Sequence, residues 1–125
     1  MGRNNLVGAW GESLAAGYLQ KKRYKLLATG YRCRFGEIDI IAQKDDFIIF
    51  VEVKTRSDNY MVSGRDSVTR PKQKRIIKAA MQYLQSYKPN CQPRFDVIEI
   101  TVGKDSDNIV HIENAFTAEG FYGFL

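Results

Sequence analysis

The sequence contains few of the residues that build disulfide-rich proteins and cysteine–histidine metal sites. Its 125 residues include two cysteines, Cys33 and Cys91, and a single histidine, His111. Two cysteines make neither a disulfide framework nor a metal cluster, so we expect two reduced thiols in a cytoplasmic protein. A lone histidine in a strand is far more often structural than catalytic, and we expect a structural role for His111.

Long apolar runs are also missing. No stretch approaches the roughly 20 apolar residues that a membrane-spanning helix needs. The N-terminal sequence MGRNNLVGAW has no long apolar region of the kind that signal peptides carry. We therefore expect no membrane association. The length predicts one domain, residues 1–125, that is large enough to bury a hydrophobic core.

Acidic residues are outnumbered, with 14 Asp and Glu against 19 Lys and Arg, and the net charge is +5. The excess is concentrated between Lys54 and Lys78, where eight basic residues accompany two acidic ones. The basic residues are Lys54, Arg56, Arg65, Arg70, Lys72, Lys74, Arg75 and Lys78. Such a block favours a polyanionic partner.

At the start of this block, residues 36–56 (GEIDIIAQKDDFIIFVEVKTR) predict a β-hairpin. Two runs rich in Ile, Val and Phe, Glu37–Ala42 and Phe47–Thr55, flank a polar break. Strand side chains alternate between the two faces of a sheet. We therefore expect Asp39 to face away from Ile38 and Ile40.

The hairpin carries charged side chains in an otherwise apolar setting. A tight turn at Asp45–Asp46 places Asp39 opposite Glu52 and Glu37 opposite Lys54, with about 5 Å between Cβ atoms. Such charges are costly to bury unless they pair with one another or hold a metal ion. Hard cations such as Mg²⁺ prefer carboxylate oxygens, and a neighbouring lysine can stabilise charge on a phosphoryl group. The two interpretations are a cation site and a set of cross-strand salt bridges.

The first helix is predicted from about Asn4 to Lys22. An apolar stripe recurs every four residues at Leu6, Trp10, Leu14 and Tyr18. The helix also holds several small residues, which we expect to permit close approach to a neighbouring element. Glu12 lies off the apolar stripe, and two orientations are open to it: towards solvent, or towards the charged hairpin across the small-residue face.

A second helix is predicted from Thr69 or Arg70 to about Tyr87, with Pro71 in its first turn. Its core stripe is Ile76/Ile77, Ala80, Leu84 and Tyr87, with Met81 and Tyr83 at the flank. The basic residues of its first turns suit either a solvated face or phosphate binding. Further strands are predicted at Tyr24–Arg34, Arg94–Val102 and Ile109–Ala115. The order α-β-β-β-α-β-β predicts an α/β domain with a mixed sheet, helices on both faces and a parallel crossover.

At the hairpin the sequence resembles a nuclease signature. GEIDIIA followed by FVEVKTR is similar to the PD-(D/E)XK signature of the restriction-endonuclease-like superfamily, with Asp39 at its aspartate and Glu52-Val53-Lys54 at its (D/E)XK element. The closer resemblance is to the YraN-like family of small bacterial proteins, through RCRFGEIDII, FVEVKTR, SVTRPKQKRIIKAAMQYL, RFDVIEI and NAF. This resemblance implies that residues 1–115 are the family core and that residues 116–125 are an aromatic tail. The chain departs from the resemblance at Gly30, where asparagine is expected.

The resemblance implies a restriction-endonuclease-like three-layer α/β/α domain with a central mixed β-sheet. It implies a Mg²⁺- or Mn²⁺-dependent nuclease acting on DNA and allows branched DNA as substrate. Asp39, Glu52 and Glu12 would be the metal ligands, and Lys54 would complete the catalytic set. Glu12 matches the extra acidic residue of archaeal Holliday-junction resolvases, and a homodimer is allowed because junction-directed nucleases are often dimers. The residues implied to hold phosphates are Arg56, Arg65, Arg70, Lys72 and Lys74, with Gln73 as a further candidate and Tyr60 as a stacking residue.

Two other functions are open on the sequence alone. The first is a non-catalytic nucleic-acid-binding module that keeps the fold. The second is a structural or assembly protein, in which the aromatic tail is an interface and the hairpin charges form salt bridges. The resemblance gives Glu37 no catalytic place.

Overall fold

The computed structural model describes residues 2–57, 68–103 and 106–119, with side chains of the first helix described from Gly8 onward. Seven elements follow one another in these ranges: α1 (Gly2–Lys21), β1 (Lys25–Cys33), β2 (Gly36–Lys44), β3 (Phe47–Ser57), α2 (Arg70–Tyr87), β4 (Gln92–Val102) and β5 (Asn108–Phe116). Their order is the predicted one, and each boundary lies within two residues of its prediction.

The five strands form one mixed sheet in the order β1-β2-β3-β4-β5. β3 and β4 pair parallel, joined by α2, whereas the other neighbouring strands pair antiparallel. α1 packs Ala15 and Leu19 against one face, with Ile49. α2 packs Ile77 against the other face, with Phe50. These layers confirm the predicted α/β/α architecture with a central mixed sheet, which is consistent with a restriction-endonuclease-like fold.

The β2–β3 hairpin has the predicted register next to its turn. Ile40 pairs with Val51, and this register continues to the turn, where Asp45 adopts a φ of 56°. Asp39 lies beyond the last of these pairs. Its Oδ2 accepts a hydrogen bond from the backbone N–H of Val53 at 2.8 Å. The carboxylate therefore takes the place of a backbone partner where the regular pairing of the two strands stops.

Two expectations from strict strand alternation are wrong at this open end of the hairpin. Ile38 packs in the cluster beneath α2, whereas Ile40 packs beneath α1. Glu37 pairs with Arg32 of β1, with 3.4 Å between Oε2 and Nε, and not with Lys54. Both differences lie beyond Ile40, where the regular β2–β3 pairing ends.

α1 packs on the sheet through a face next to the predicted one. Trp10, a member of the predicted stripe, is 40% exposed, whereas Gly11, Ala15 and Leu19 are buried. The predicted stripe and the buried set both repeat every four residues. Each buried residue follows a residue of the predicted stripe by one position. A Cβ atom at Gly11 would collide with Oγ1 of Thr55. The small residues thus permit the predicted close approach, and that approach decides which face is buried.

α2 begins as predicted. The hydroxyl of Thr69 accepts a hydrogen bond from the backbone N–H of Lys72 at 3.4 Å, and Pro71 lies in the first turn. The helix buries Ile76, Ile77, Ala79, Ala80, Tyr83 and Leu84. Tyr87, which is predicted for this stripe, is 64% exposed. It is the last residue of the helix, and its ring packs on Tyr83 with 5.0 Å between centroids.

Gly30, where the resemblance leads us to expect asparagine, has an unusual backbone conformation within β1. Its φ is +61°, in the left-handed region. Glycine adopts this region freely, and asparagine does so more readily than most residues. Both residues therefore meet the same backbone requirement, and the difference leaves the strand intact.

Asp96 is fully buried and anchors a polar network between β4, β5 and α1. Its carboxylate accepts hydrogen bonds from Arg94 Nη2 at 2.7 Å and from the Asn114 N–H at 3.0 Å, and it lies 2.6 Å from His111 Nε2. A carboxylate only accepts, so Nε2 carries a proton, and Nδ1 lies 3.2 Å from the Tyr18 hydroxyl oxygen. His111 thus joins three elements of the fold.

Two further features concern the helices and the cysteines. Within residues 2–57, 68–103 and 106–119, neither helix has the length and apolarity needed to cross a membrane. Cys33 and Cys91 are both free and half-buried.

Candidate active site

The charged residues of the hairpin lie at one end of the sheet. β3 carries Glu52 and Lys54, and β2 carries Asp39 at the point where regular pairing stops. α1 contributes Glu12. The close packing of Gly11 on Thr55 holds α1 against β3 and thereby brings Glu12 to the hairpin.

The surroundings of Asp39 shift the pKa of its carboxyl group strongly. It is half-buried and lies beside Glu52 and Glu12. Burial, together with the hydrogen bond and negative charge of Glu52, raises the pKa of Asp39 to about 8, although the hydrogen bond from Val53 N–H acts in the opposite direction. Asp39 is therefore protonated at neutral pH unless a positive charge joins it.

Glu52 is 4% exposed and is surrounded by donors. Its Oε2 lies 2.5 Å from Lys72 Nζ and 3.6 Å from Lys54 Nζ. Burial would raise the pKa of Glu52, but the hydrogen bonds from Asp39 and Lys72 and the charge of Lys54 outweigh it and leave the pKa below its usual value. Glu52 is thus the ionised member of the pair, and Asp39 is the protonated one.

Glu12 lies beside the other carboxylates, which decides between the two orientations that the sequence left open. Burial raises the pKa of Glu12, a hydrogen bond with Asp39 acts against that rise, and the charges of Glu37 and Glu52 add to it. Glu12 also lines a surface cleft of about 280 Å³. The structure therefore brings together the three carboxylates that the resemblance implies.

Lys72 and Arg56, which are expected at phosphates, pair with buried carboxylates in this structure. Lys72 points to Glu52, as described above, and so belongs to the carboxylate cluster. Arg56 is 13% exposed at its side chain and pairs with Glu99 of β4, with 3.7 Å between Nε and Oε2. Both cations compensate buried carboxylates, which are costly to leave unpaired.

Arg70 and Lys74 lie in the first turns of α2, where Arg70 is exposed and Lys74 half-buried. Gln73, between them in this turn, donates from Nε2 to the backbone carbonyl of Val68 at 2.9 Å and so ties the helix to the residue before its cap. Arg65 and Tyr60 lie outside the described residues. Arg70 and Lys74 thus provide solvent-accessible positive charge at this end of α2.

Sequence reasoning missed Glu99, a buried acid next to the cluster. The register of the parallel pair β3–β4 places it beside Lys54. No spacing along the chain signals this neighbour, because all of α2 separates the two strands and only the crossover aligns them. The contact of Lys72 with Glu52 was missed for the same reason, although the basic first turn of α2 had marked the region.

The cluster suits a hard divalent cation. Asp39 and Glu52 supply carboxylate oxygens, which Mg²⁺ and Mn²⁺ prefer, and burial together with the neighbouring Glu52 raises the pKa of Asp39. Across the part of the chain that the structure describes, no group of three or more His, Cys, Asp or Glu side chains is arranged to hold a metal ion. Mg²⁺ is commonly bound by one or two carboxylates with water and substrate phosphates. The Asp39–Glu52 pair therefore fits such an ion.

The fold and this cluster define a class of small three-layer α/β proteins with buried carboxylates and lysines at one end of the sheet. The chain belongs to the Uncharacterised protein family UPF0102, which it matches over residues 11–100. This membership confirms the YraN-like resemblance. The matched range contains Glu12, Asp39, Glu52, Lys54 and Lys72.

Similar sequences occur in several organisms. A UPF0102 protein of Syntrophomonas wolfei subsp. wolfei is 46% identical over 115 residues, which cover 90% of this chain and 99% of the relative. A UPF0102 protein of Geobacter metallireducens is 46% identical over 114 residues, covering 90% and 93%. One from Clostridium perfringens is 47% identical over 104 residues, covering 82% and 85%. The similarity thus extends over nearly the whole of each protein.

Proposed function

We propose that this protein is a Mg²⁺- or Mn²⁺-dependent nuclease of the PD-(D/E)XK superfamily that hydrolyses phosphodiester bonds in DNA. The observation that carries the proposal is the Asp39–Glu52 carboxylate pair beside Lys54 at the open end of the hairpin. Two adjacent carboxylates that share one proton favour its exchange for a cation. The basic start of α2 offers a matching surface for a polyanion.

In this proposal Asp39 and Glu52 would hold the cation, and Glu12 would bind it or complete its outer shell. When bound, a divalent cation would polarise a phosphoryl oxygen and lower the pKa of water. Its positive charge would favour the ionised form of Asp39. The hydrogen bond from Val53 N–H fixes Asp39 Oδ2 and thus the direction of the remaining oxygen.

We assign different roles to Lys54 and Lys72, the two lysines that contact Glu52. Lys54 is 26% exposed at its side chain, so its ammonium can contact both Glu52 and a substrate. There it orients the attacking water or stabilises charge on the phosphoryl group. Lys72 is 38% exposed at its side chain. Because this side chain is long and flexible, its ammonium can leave Glu52 and contact a phosphate of the DNA backbone instead.

Positive charge outside the cluster supports DNA binding. Arg70 and Lys74 lie on the first turns of α2 next to Lys72, and Arg65 precedes them in the sequence. Phosphate contacts by such residues are independent of base sequence and weaken steeply as salt rises. Arg56 is a weaker candidate for a phosphate contact, because its guanidinium compensates the buried Glu99.

A second candidate function is a DNA-binding module without catalysis. The Lys72–Glu52 ion pair favours it, because it neutralises a buried carboxylate with a protein group. Such a module binds DNA in EDTA and leaves it uncut in Mg²⁺.

A cleavage assay separates the two functions. End-labelled single-stranded, duplex and four-way branched DNA are incubated with the protein in Mg²⁺, Mn²⁺ or EDTA. We expect cleavage only with a divalent cation, and a rate lower by about 100-fold or more in Asp39→Asn and Glu52→Gln. Asp46→Asn, an exposed acid in the turn of the same hairpin, is the matched control and should cleave normally. Equal cleavage by wild type and Asp39→Asn, or none on any DNA, contradicts the nuclease proposal.

A further inference from the structure

A cleft of about 710 Å³ lies between α2 and the connection from β1 to β2. Its lining residues are Arg34, Phe35, Lys78, Met81, Gln82 and Gln85. Pockets that hold small molecules and cofactors typically measure about 300–1,000 Å³. No residue of this cleft has a part in the hydrolysis proposed above, and two of them, Phe35 and Met81, also pack against the core beneath α2.

Two cations of this cleft lie close to the ring of Phe35. The guanidinium carbon of Arg34 lies 4.7 Å from the ring centroid, and Nζ of Lys78 lies 5.8 Å from it. A base stacks on an aromatic ring, while basic side chains hold the phosphate attached to it. An aromatic ring flanked by cations therefore matches the two parts of a nucleotide.

The wall of the cleft formed by α2 adds uncharged polar groups. Gln82 and Gln85 follow Lys78 by one and two helical turns, so all three share one face of α2. Both glutamines are exposed, and each amide offers donors and an acceptor that suit the edge of a base. Met81 is a flexible apolar neighbour that adapts to ligands of different shape.

The backbone of the β1–β2 connection lies close to α2 beside this cleft. Gly36 begins β2 with a φ of +149°, a conformation that other residues rarely adopt. A Cβ atom there would lie 3.5 Å from Cβ of Arg75, so the β1–β2 connection packs directly on the first half of α2. This contact fixes Phe35 relative to Lys78.

We propose that the cleft binds an unpaired nucleotide of a DNA strand, with Phe35 stacked on the base and Arg34 and Lys78 at the phosphate. This inference rests on the proposed nuclease function and names its substrate as DNA with an unpaired segment. Paired bases are stacked within the duplex, and an aromatic ring outside it reaches them only after they leave the stack.

The position of the cleft along α2 agrees with such a substrate. Lys72, which contacts Glu52, and Lys78 are six residues apart on the helix. This separation corresponds to about 9 Å along the helix axis, so the cleft and the carboxylate cluster lie within two turns of each other on α2.

Binding of a fluorescein-labelled oligo(dT) in EDTA, measured by fluorescence anisotropy, tests the proposal without cleavage. Phe35→Leu should bind at least about 5-fold more weakly than wild type, which corresponds to the loss of one stacked base. Phe47→Leu is the matched control, because Phe47 is a partly exposed phenylalanine at the turn end of the hairpin. Equal affinities of the two variants overturn the proposal.

The cations are tested with charge-matched variants. Lys78→Gln should weaken oligo(dT) binding more than Lys25→Gln, which removes the same charge at the exposed start of β1. A mere effect of net charge lowers both affinities equally. Equal losses therefore contradict the assignment of Lys78 to the cleft.

A conservative variant keeps the test decisive if Phe35→Leu fails to fold. Phe35→Trp retains a stacking surface, so oligo(dT) should bind with near wild-type affinity and quench the emission of the new indole. Wild type, whose tryptophan is Trp10, gives the background signal. Unchanged emission on saturation with oligo(dT) shows that no base contacts position 35 and overturns the proposal.

The two proposals fail separately. If oligo(dT) binding depends on Phe35 while the wild type cleaves no DNA, the cleft assignment stands and the nuclease function falls. If wild type cleaves duplex and single-stranded DNA equally, and Phe35→Leu binds oligo(dT) normally, the cleft assignment falls and the nuclease function stands.

Discussion

Asp39 and Glu52 are neighbouring carboxylates whose pKa values are shifted in opposite directions. Lys72 and Lys54 lower the pKa of Glu52, whereas burial and the negative charge of Glu52 and Glu12 raise the pKa of Asp39. One proton held by two carboxylates is an arrangement that active sites use. The same arrangement makes the stability of the protein depend on pH.

Asp39→Asn should change that dependence. The pKa of Asp39 is about 8 in the folded protein and about 3.9 in an unfolded chain. The folded protein therefore binds more protons between these values, and Asp39 makes the free energy of unfolding fall as pH rises through this window. The asparagine of the variant cannot titrate but can still accept from Val53 N–H. Urea denaturation in EDTA at about pH 5 and about pH 9 should show a smaller decrease in the variant than in wild type. Equal decreases contradict the raised pKa.

Asp96→Asn should change the pH dependence of stability in the opposite direction to Asp39→Asn. Burial raises the pKa of Asp96, but hydrogen bonds from His111, Arg94 and Asn114 N–H outweigh it and leave the pKa below its usual value. The resulting stability is present above the unfolded pKa of about 3.9 and is lost as pH falls through the folded pKa. The variant should lose about 2 kcal/mol at neutral pH.

Urea denaturation at about pH 7 and about pH 3 measures this effect, and the two proteins should differ less at the lower pH. Glu113→Gln is the control, because Glu113 is an exposed partner of Arg94, with 3.2 Å between Oε1 and Nη1. A constant difference between wild type and Asp96→Asn contradicts the lowered pKa.

At the scale of elements, the packing of α1 determines where Glu12 lies. The helix approaches β3 through Gly11, Ala15 and Leu19. The apolar stripe that includes Trp10 is larger, yet its side chains would hold the helix farther from the sheet. The close approach of the α1 backbone to β3, and not the size of the side chains, therefore determines which face of α1 contacts the sheet.

Gly11→Ala should destabilise the fold, because its methyl group collides with Thr55 Oγ1. Overpacking of this kind costs about 1–3 kcal/mol. Gly17→Ala is the matched control in the same helix, since a Cβ atom there meets no atom within 4 Å, and it should gain up to about 1 kcal/mol from helix propensity. Thermal or urea unfolding measures both, and Thr55→Ala should partly rescue Gly11→Ala. Equal stabilities of the two alanine variants contradict the close approach.

The hairpin shows how far the sequence predicts the site. Its register follows from local turn chemistry, so the Ile40–Val51 pair and the neighbourhood of Asp39 and Glu52 were predictable. The end of regular pairing was not, because it depends on the Asp39 side chain bonding to Val53. The contacts of Glu99 and Lys72 depend on the crossover through α2, which no local pattern encodes.

At the scale of the molecule, basic residues of α2 lie next to the carboxylate cluster. Lys72 contacts Glu52, and Arg70 and Lys74 lie beside it in the first turns of the helix. This arrangement suits a substrate that brings its own negative charge. Binding then depends on ionic strength through the number of phosphates contacted.

The double variant Arg70→Gln/Lys74→Gln should reduce that dependence. If each residue holds one phosphate of duplex DNA, the slope of log affinity against log salt should decrease in magnitude by about 2. The control is Lys21→Gln/Lys25→Gln, which removes the same charge from exposed residues at the end of α1 and the start of β1. Fluorescence anisotropy in EDTA at several salt concentrations gives both slopes. Equal slopes remove the start of α2 from the DNA-binding surface.

The central claim is that Asp39 and Glu52 together hold a divalent cation. Crystals grown or soaked in Mn²⁺ test it through the anomalous scattering of the ion. We predict an anomalous peak within about 2.5 Å of a carboxylate oxygen of Asp39 and of Glu52, and its loss in Asp39→Asn crystals. Well-ordered carboxylates without a peak between them, or the same peak in the variant, contradict the claim.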